Sequence, residues 1–333
     1  MSKTGLDTIG IRADPDLESA VRAGLMDVER LLHEAVRSEF AFVTEASRHL
    51  TDAGGKRFRS MVVLLAAQFA DPAAPEVIQA AAAIELTHLS TLYHDDVMDE
   101  APLRRGAASA NARWTNTVAI LVGDYLFARA SEITADLGPE ATRILAQTIA
   151  TLCEGQIRET VGPMPDDDPV EHYLRVVTGK TASLIAASGR LGAMMAGADP
   201  VTADILATYG ERIGVGFQLS DDIIDVASDT VASGKTPGTD LRAGVRTLPV
   251  LYALRGKDAG ARRLRELVAE GFASDAALGE AIDILRSHAG LDEARTQLNS
   301  WASSARDCLA PLPEGSAKTA LESLADFVVA RTG

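Results

Sequence analysis

Ala80-Ala81-Ala82-Ala83-Ile84-Glu85-Leu86-Thr87-His88-Leu89-Ser90-Thr91-Leu92-Tyr93-His94-Asp95-Asp96-Val97-Met98-Asp99 is an apolar run that ends in three carboxylates. No Gly or Pro interrupts it, and Ala and Leu dominate it, which favours helix. In a helix Asp95 and Asp99 stand four apart and share one face. The pattern returns as Asp221-Asp222-Ile223-Ile224-Asp225, again at the end of a long apolar stretch. Carboxylates packed this closely repel one another unless a cation lies between them. At a helix C-terminus they also meet the negative end of the macrodipole. Two such faces, opposed across a helical bundle, make an all-oxygen cradle for Mg²⁺. Hard cations of this kind keep waters and take further ligands from substrate phosphates. The chemistry expected is metal-assisted handling of a diphosphate.

The rest of the composition agrees. The chain has 333 residues, 47 % of them hydrophobic and only 5 % aromatic, with abundant Ala. That suits closely packed helices rather than a β-sandwich. A net charge of −15 argues against a nucleic-acid partner. Cys153 and Cys308 lack metal-ligand spacing and read as reduced thiols. Met1–Asp16 has no apolar signal core, and the longest apolar runs, such as Met61–Ala70, are too short to span a bilayer. The expectation is a cytoplasmic protein with no transmembrane segment.

Helical periodicity runs from about Leu17 to the end. It predicts helices over 17–51, 57–70, 75–98, 106–111, 115–136, 139–161, 170–178, 180–196, 201–228, 246–255, 258–271 and 275–289, then a broken one over 290–331. No segment alternates like a strand. The Gly/Pro/Asp-rich breaks are short, so a single all-α domain over 1–333 is the simplest reading. Asp166-Asp167-Asp168-Pro169 looks metal-like, but Asp168 with Glu171 reads as a helix N-cap with its capping-box partner.

Basic residues gather around the acidic motifs in sequence. Gly54-Gly55-Lys56-Arg57-Phe58-Arg59 opens a helix, where backbone N–H groups and cations attract anions. It lacks the spacing of a Walker loop. Arg104-Arg105-Gly106 follows the first motif and offers guanidinium groups to phosphate oxygens. Gln218 and Phe217 lie one turn before Asp221, and Lys180-Thr181 starts another apolar helix. The segment Ala227–Gly244, with Lys235 in it, reads either as a lid or as an ordinary loop. His88 alone would be a satisfied core histidine, and each basic pair alone a surface feature.

Taken together these residues resemble the trans-prenyl diphosphate synthase family, the polyprenyl synthetases. The resemblance covers roughly Leu31–Leu254. It rests on Gly54–Arg59, on His94–Asp99 followed by Arg104-Arg105-Gly106, on Gly123-Asp124-Tyr125-Leu126 and on Lys180-Thr181. It rests further on Phe217–Asp225, on Gly234-Lys235 and on Gly238-x-Asp240-Leu241. Ser60 and Arg246 stand where the family often has Pro and Lys.

The resemblance implies the isoprenoid synthase fold, a helical bundle around a deep central cavity, in a homodimer. It implies condensation of an allylic diphosphate with isopentenyl diphosphate, with three Mg²⁺ per site. By position, Lys56, Arg59, His88 and Arg105 would hold isopentenyl diphosphate, and Arg104, Lys180 and Lys235 the allylic diphosphate. Asp95, Asp99 and Asp221 would be the principal metal ligands, with Asp225 added to them. Asp96 and Asp222 would support them directly or through water. Thr181 and Gln218 would stabilise a carbocation through their oxygens. Thr87, Ser90 and Thr91, on the helix below Asp95, would line the growing chain. None is bulky, and Leu92–Glu100 resembles long-chain actinobacterial synthases of quinone side chains, so a long product is expected. A C20–C25 product, a terpene cyclase and a silent subunit of a heteromeric synthase stay as alternatives. A transient membrane contact at product release stays open.

Overall fold

The computed structural model describes Leu6 and residues 13–228, 237–272 and 274–332. Its contacts divide the chain into two compact units, each built from discontinuous segments. One comprises residues 1–150, 184–210 and 311–323, and the other 151–183, 211–310 and 324–333. Nearly all the described structure is helical, as expected.

The first unit is organised around α4, Pro75–Met98, which packs against α1 (Pro15–Ala35), α3 (Phe58–Ala67) and α6 (Asn116–Asp136). Ala80–Ala83 are all fully buried and let neighbouring backbones come close. Glycine does the same on α9, Ser183–Met195: a Cβ on Gly192 would lie 2.3 Å from the Val63 carbonyl oxygen. Tyr93, wholly buried, donates its hydroxyl to the Ala46 carbonyl at 2.5 Å and fixes α4 to α2, Ala41–Asp52. The single helix expected over 17–51 is two helices. Ser38 and Thr44 break it: the Ser38 N–H donates to Thr44 Oγ1 at 2.8 Å, and Phe40 N–H to Ser38 Oγ at 3.2 Å. Such local side-chain bonds offer the backbone an alternative to the helix.

The helix expected over 106–111 is also different. Leu103–Arg104 and Ala107–Ala108 form a two-residue antiparallel hairpin, and the helix begins only at Ala110. Arg105 (φ 54°) and Gly106 (φ 78°) make its turn, the left-handed pair that matches strand twist in a tight hairpin. Strands this short leave no alternation to read in the sequence.

In the second unit the helix Leu248–Arg255 packs on Ala289–Cys308, over a core that includes Val250, Leu264, Leu285 and Leu241. The helices α8, Pro169–Val177, and α9 are joined without a break by a π-turn over Thr178–Ala182. Asp168 is the N-cap of α8, accepting from the N–H groups of Val170 and Glu171 at 2.9 and 3.0 Å, as the sequence predicts. No helix among the described residues is long and apolar enough to cross a membrane.

Candidate active site

In the first unit a group of arginines converges below Asp95. Arg57 is 3 % exposed, with φ 48°, at the N-terminus of α3. Its guanidinium bridges Glu29 at 2.5 Å and Glu85 at 2.8 Å, and donates to the Thr51 carbonyl at 3.2 Å. Burial opposes its charge, but the two carboxylates outweigh burial and hold its pKa above the ordinary value. Glu85, almost fully buried, is the lone charge inside the apolar part of α4. That isolation was the sequence signal for this ion-pair triad, which the motif reading passed over. Arg105 is anchored from the hairpin turn, donating to the carbonyls of Leu50, at 3.0 Å, and Gly54. A Cβ on Gly55 would meet that guanidinium at 3.1 Å, which accounts for glycine there.

His88 lies among these groups. Its pKa is held well below the usual histidine range by burial, then by the positive fields of Arg59, Arg105, Arg57 and Arg104. A neutral imidazole beside guanidinium groups keeps both a donor and an acceptor nitrogen. Arg59 has its Nε buried with no hydrogen-bond partner. A buried donor without an acceptor is costly, and an anion would satisfy it. The structure therefore brings Arg59, His88 and Arg105 together, as the sequence reading expects. Lys56 follows Gly55 and is exposed.

Within the first Asp motif, the three carboxylates differ. Asp99 is exposed and Asp95 partly so, while Asp96 has no accessible surface. Asp96 accepts from Arg104 Nε at 2.6 Å and from the Ala110 N–H at 3.4 Å. Arg104 also reaches Asp99 at 3.8 Å. Gly123, on α6, explains the core-helix signature: a Cβ there would sit 2.3 Å from His94 Nε2. His94 in turn contacts Asp124 at 3.3 Å. Thr87 (1 % exposed) and Ser90 (4 %) are buried, and Thr91 is half-buried. Thr87 and Thr91 turn their hydroxyls back to the carbonyls of Ala83 and His88, at 2.9 and 2.8 Å, which leaves their methyls to face outward from the helix.

The second unit carries the second motif, at the end of α10, Pro200–Ala227. Asp222 is 2 % exposed. It accepts from Gln218 Nε2 at 3.0 Å and from the Tyr173 hydroxyl, while Thr181 Oγ1 donates to Gln218 Oε1 at 3.3 Å. These bonds fix the orientation of the Gln218 amide. Burial raises the Asp222 pKa to about 7, against the lowering effect of its two donors. Asp221 pairs with Arg331. Asp225 turns both oxygens toward a short helix, accepting from the N–H groups of Thr239 at 3.1 Å and Asp240 at 3.2 Å. That helix starts at Gly238, φ 75°, and Leu241 enters the core, so Gly238-x-Asp240-Leu241 is the counterpart of Asp225. Lys180, in the π-turn, pairs with Glu159. Gly155 lets that turn approach, since a Cβ there would lie 2.5 Å from the Lys180 nitrogen. π-turns of this kind recur at functional sites. Lys235 lies outside the described residues.

Tyr173, Arg331 and Glu85 were not singled out by the sequence reading, and Arg57 entered it only as part of the Gly54–Arg59 motif. Among the described residues no group of three or more His, Cys, Asp or Glu is gathered tightly enough to hold a metal alone. The donors fit a hard divalent ion that completes its shell with water and phosphate oxygens, because they are carboxylates with no thiolate or imidazole among them.

Known proteins point the same way. The sequence model of the polyprenyl synthetase family matches residues 41–285. The chain is 49 % identical over 321 residues to nonaprenyl diphosphate synthase of Mycobacterium tuberculosis, covering 96 % of each. It is 43 % identical over 317 residues to a dimethylallyltranstransferase of the same organism, covering 95 % of this chain and 96 % of the relative. A geranylgeranyl pyrophosphate synthase from Corynebacterium glutamicum, complexed with calcium and isoprenyl diphosphate, superposes with a TM-score of 0.89 at 45 % identity, over 97 % of this chain and 100 % of that one. A decaprenyl diphosphate synthase from Rhodobacter capsulatus superposes with a TM-score of 0.88 at 35 % identity, over 96 % and 99 %.

Proposed function

We propose, from the premise that this chain belongs to the polyprenyl synthetase family, that it joins isopentenyl diphosphate head-to-tail to an allylic diphosphate and makes a long trans-polyprenyl diphosphate. The observation that carries the reading is the cluster of Arg59, Arg105 and neutral His88, with a buried guanidinium nitrogen lacking an acceptor. A terpene cyclase, which binds one diphosphate, has no use for such a second anion site. A silent subunit would not need a complete set of acidic and basic motifs.

Arg59, His88, Arg105 and Lys56 hold the diphosphate of isopentenyl diphosphate. Arg104, Lys180 and Lys235 hold that of the allylic substrate, once Lys180 exchanges Glu159 for phosphate oxygen. Asp95, Asp99 and Asp221 would hold the metal, and Asp225, whose oxygens accept from backbone N–H groups, would support them directly or through water. Bound Mg²⁺, three ions in this reading, supplies positive charge to the departing diphosphate, the type of stabilisation that is often the largest catalytic term. The allylic C–O bond breaks with its electron pair leaving on the diphosphate. The isopentenyl double bond then attacks the allylic carbon, and the proton lost afterwards passes to the released diphosphate. Thr181 and Gln218 present oxygen dipoles to the cation. Asp222 and Tyr173 keep the Gln218 amide turned for that task.

The domain is a single catalytic one in this reading, its protomers pairing as a homodimer in the cytoplasm. Ile120, Leu121 and Phe127, exposed on α6, support pairing. A short C20 product remains the second reading, favoured by the likeness to the Corynebacterium enzyme. Supplying labelled isopentenyl diphosphate with C10, C15 and C20 primers, then sizing the products, tests both. No incorporation with any primer overturns the assignment.

A further inference from the structure

Asp221 is a metal ligand in the proposed function, and the role of its neighbour Arg331 rests on that reading. In this structure Asp221 already has a cation. The Arg331 guanidinium pairs with an Asp221 oxygen and lies over the Phe217 ring, 4.6 Å from its centroid. Phe217 and Asp221 are one helical turn apart on α10, so ring and carboxylate form one receptor for the guanidinium. Arg331 sits at the turn that follows the helix Ser316–Ala330, its N–H donating to the Phe327 carbonyl at 3.2 Å. The Arg331 side chain is 15 % exposed and that of Asp221 41 %. Water thus retains access to the carboxylate, while most of the guanidinium is enclosed.

We propose that Arg331 is a built-in counter-cation of the second Asp motif, which a divalent metal ion must displace from Asp221 in order to bind. The carboxylate cannot hold the guanidinium and a metal at the same oxygen. In the metal-free protein Arg331 offsets the negative charge of Asp221. As the metal arrives, that service is no longer needed. Arg331 then sets the metal concentration at which the motif fills. By linkage, metal binding releases the turn at Arg331 by the same factor that the turn weakens metal binding. Arg331 is a positioning residue here, not a catalytic one.

The test is a Mn²⁺ titration followed by electron paramagnetic resonance, without any diphosphate. It compares the wild-type protein with Arg331→Gln, Arg331→Met, Arg331→Lys and Asp221→Asn. Both neutral variants should bind Mn²⁺ about fivefold more tightly, the factor a partly exposed ion pair supplies. Arg331→Met keeps a side chain over Phe217 and guards against misfolding of the Gln variant. Arg331→Lys should stay near wild type, because it keeps the charge. In EDTA the neutral variants should melt lower than wild type, then gain more on Mn²⁺ addition. If Asp221→Asn loses Mn²⁺ while the neutral Arg331 variants bind it equally or more weakly, the competition is overturned and the metal site stands. If Asp221→Asn leaves the isotherm unchanged, the metal reading falls and this proposal with it.

Discussion

Arg104 donates to Asp96 over 2.6 Å, and Asp96 has no exposed surface at all. The pair fastens the hairpin turn, with Arg105 in it, to the end of α4. Asp96 completes the attachment by accepting from the Ala110 N–H. Asp222 has the corresponding place in the second motif, buried and held by Tyr173 and Gln218. In both motifs the middle Asp is internal, and the Asp residues on either side are partly or fully exposed.

This division separates stability from turnover. Asp96→Ala takes from the partly buried Arg104 its close partner, leaving only Asp99 at 3.8 Å, and should cost about 2–3 kcal/mol, less than the loss of a fully enclosed pair. Asp99→Ala, at an exposed position, should change stability by no more than ~0.5 kcal/mol. Asp95→Ala and Asp221→Ala should keep the fold and lower turnover by orders of magnitude. Urea unfolding alongside steady-state rates checks this. Equal loss of stability in Asp96→Ala and Asp99→Ala would contradict it.

The neighbouring arginines Arg57 and Arg59 should behave as differently. Arg57→Ala strands Glu85 and Glu29 and should destabilise by ~3–5 kcal/mol. Arg59→Ala and His88→Ala should leave the melting temperature nearly unchanged. Each should instead weaken isopentenyl diphosphate by ~1.5–3 kcal/mol per lost charge-assisted bond. Saturation curves for that substrate, measured with the allylic partner fixed, separate the two. Unaltered curves in both would remove these residues from the site.

Much of this was legible in the sequence. The 75–98 and 139–161 helices have the boundaries that their apolar periodicity and N-terminal Pro predict. The acidic pattern of Asp95 and Asp99 stands out by its spacing, whereas the roles proposed for Arg59, His88 and Arg105 come from the family resemblance of their motifs. Other features depend on contacts between distant residues. Glu29 reaches Arg57, and Tyr173 reaches Asp222, only because tertiary packing brings their helices together. The role of Asp225 as a cap for the helix at Gly238 was hidden because a carboxylate in an acidic motif looks the same whether it meets a metal or a backbone N–H. The hairpin at Leu103–Ala108 was too short to show a period.

Asp222 gives a pH signature. Burial raises its pKa from 3.8 to about 7. For a group whose folded pKa is raised, the contribution to stability is fully present below the unfolded value and is lost as pH rises through the folded one. In metal-free protein, wild type should therefore lose stability relative to Asp222→Asn between about pH 4 and pH 7, by a few kcal/mol in all. Tyr173→Phe removes a donor that lowers this pKa, so its loss should extend to higher pH. Unfolding free energies in EDTA at pH 5 and pH 8 measure the difference. Parallel curves for wild type and Asp222→Asn would show that the carboxyl does not titrate in this range.

Chain length is the sharpest test of the small residues below Asp95. A growing isoprenoid gains about 0.8 kcal/mol per buried CH₂, so an open apolar passage favours extension. Thr87 and Thr91 keep their hydroxyls on the helix backbone and present methyl groups, which suits that passage. Overpacking a filled site costs on the order of 1–3 kcal/mol. Ser90 is 4 % exposed, so Ser90→Phe should shift products toward C15–C20 with some loss of stability. Thr91 is half-buried, and Thr91→Phe should give the same shift with less. The first condensation should be largely intact in both, because the Arg59 and His88 cluster is unaltered. Thin-layer or mass-spectrometric sizing of products, with melting curves beside it, reads both effects. A wild-type product of C20 or shorter would mean that another helix closes the passage. A long wild-type product left unchanged by both substitutions would mean that this face of α4 does not line the chain.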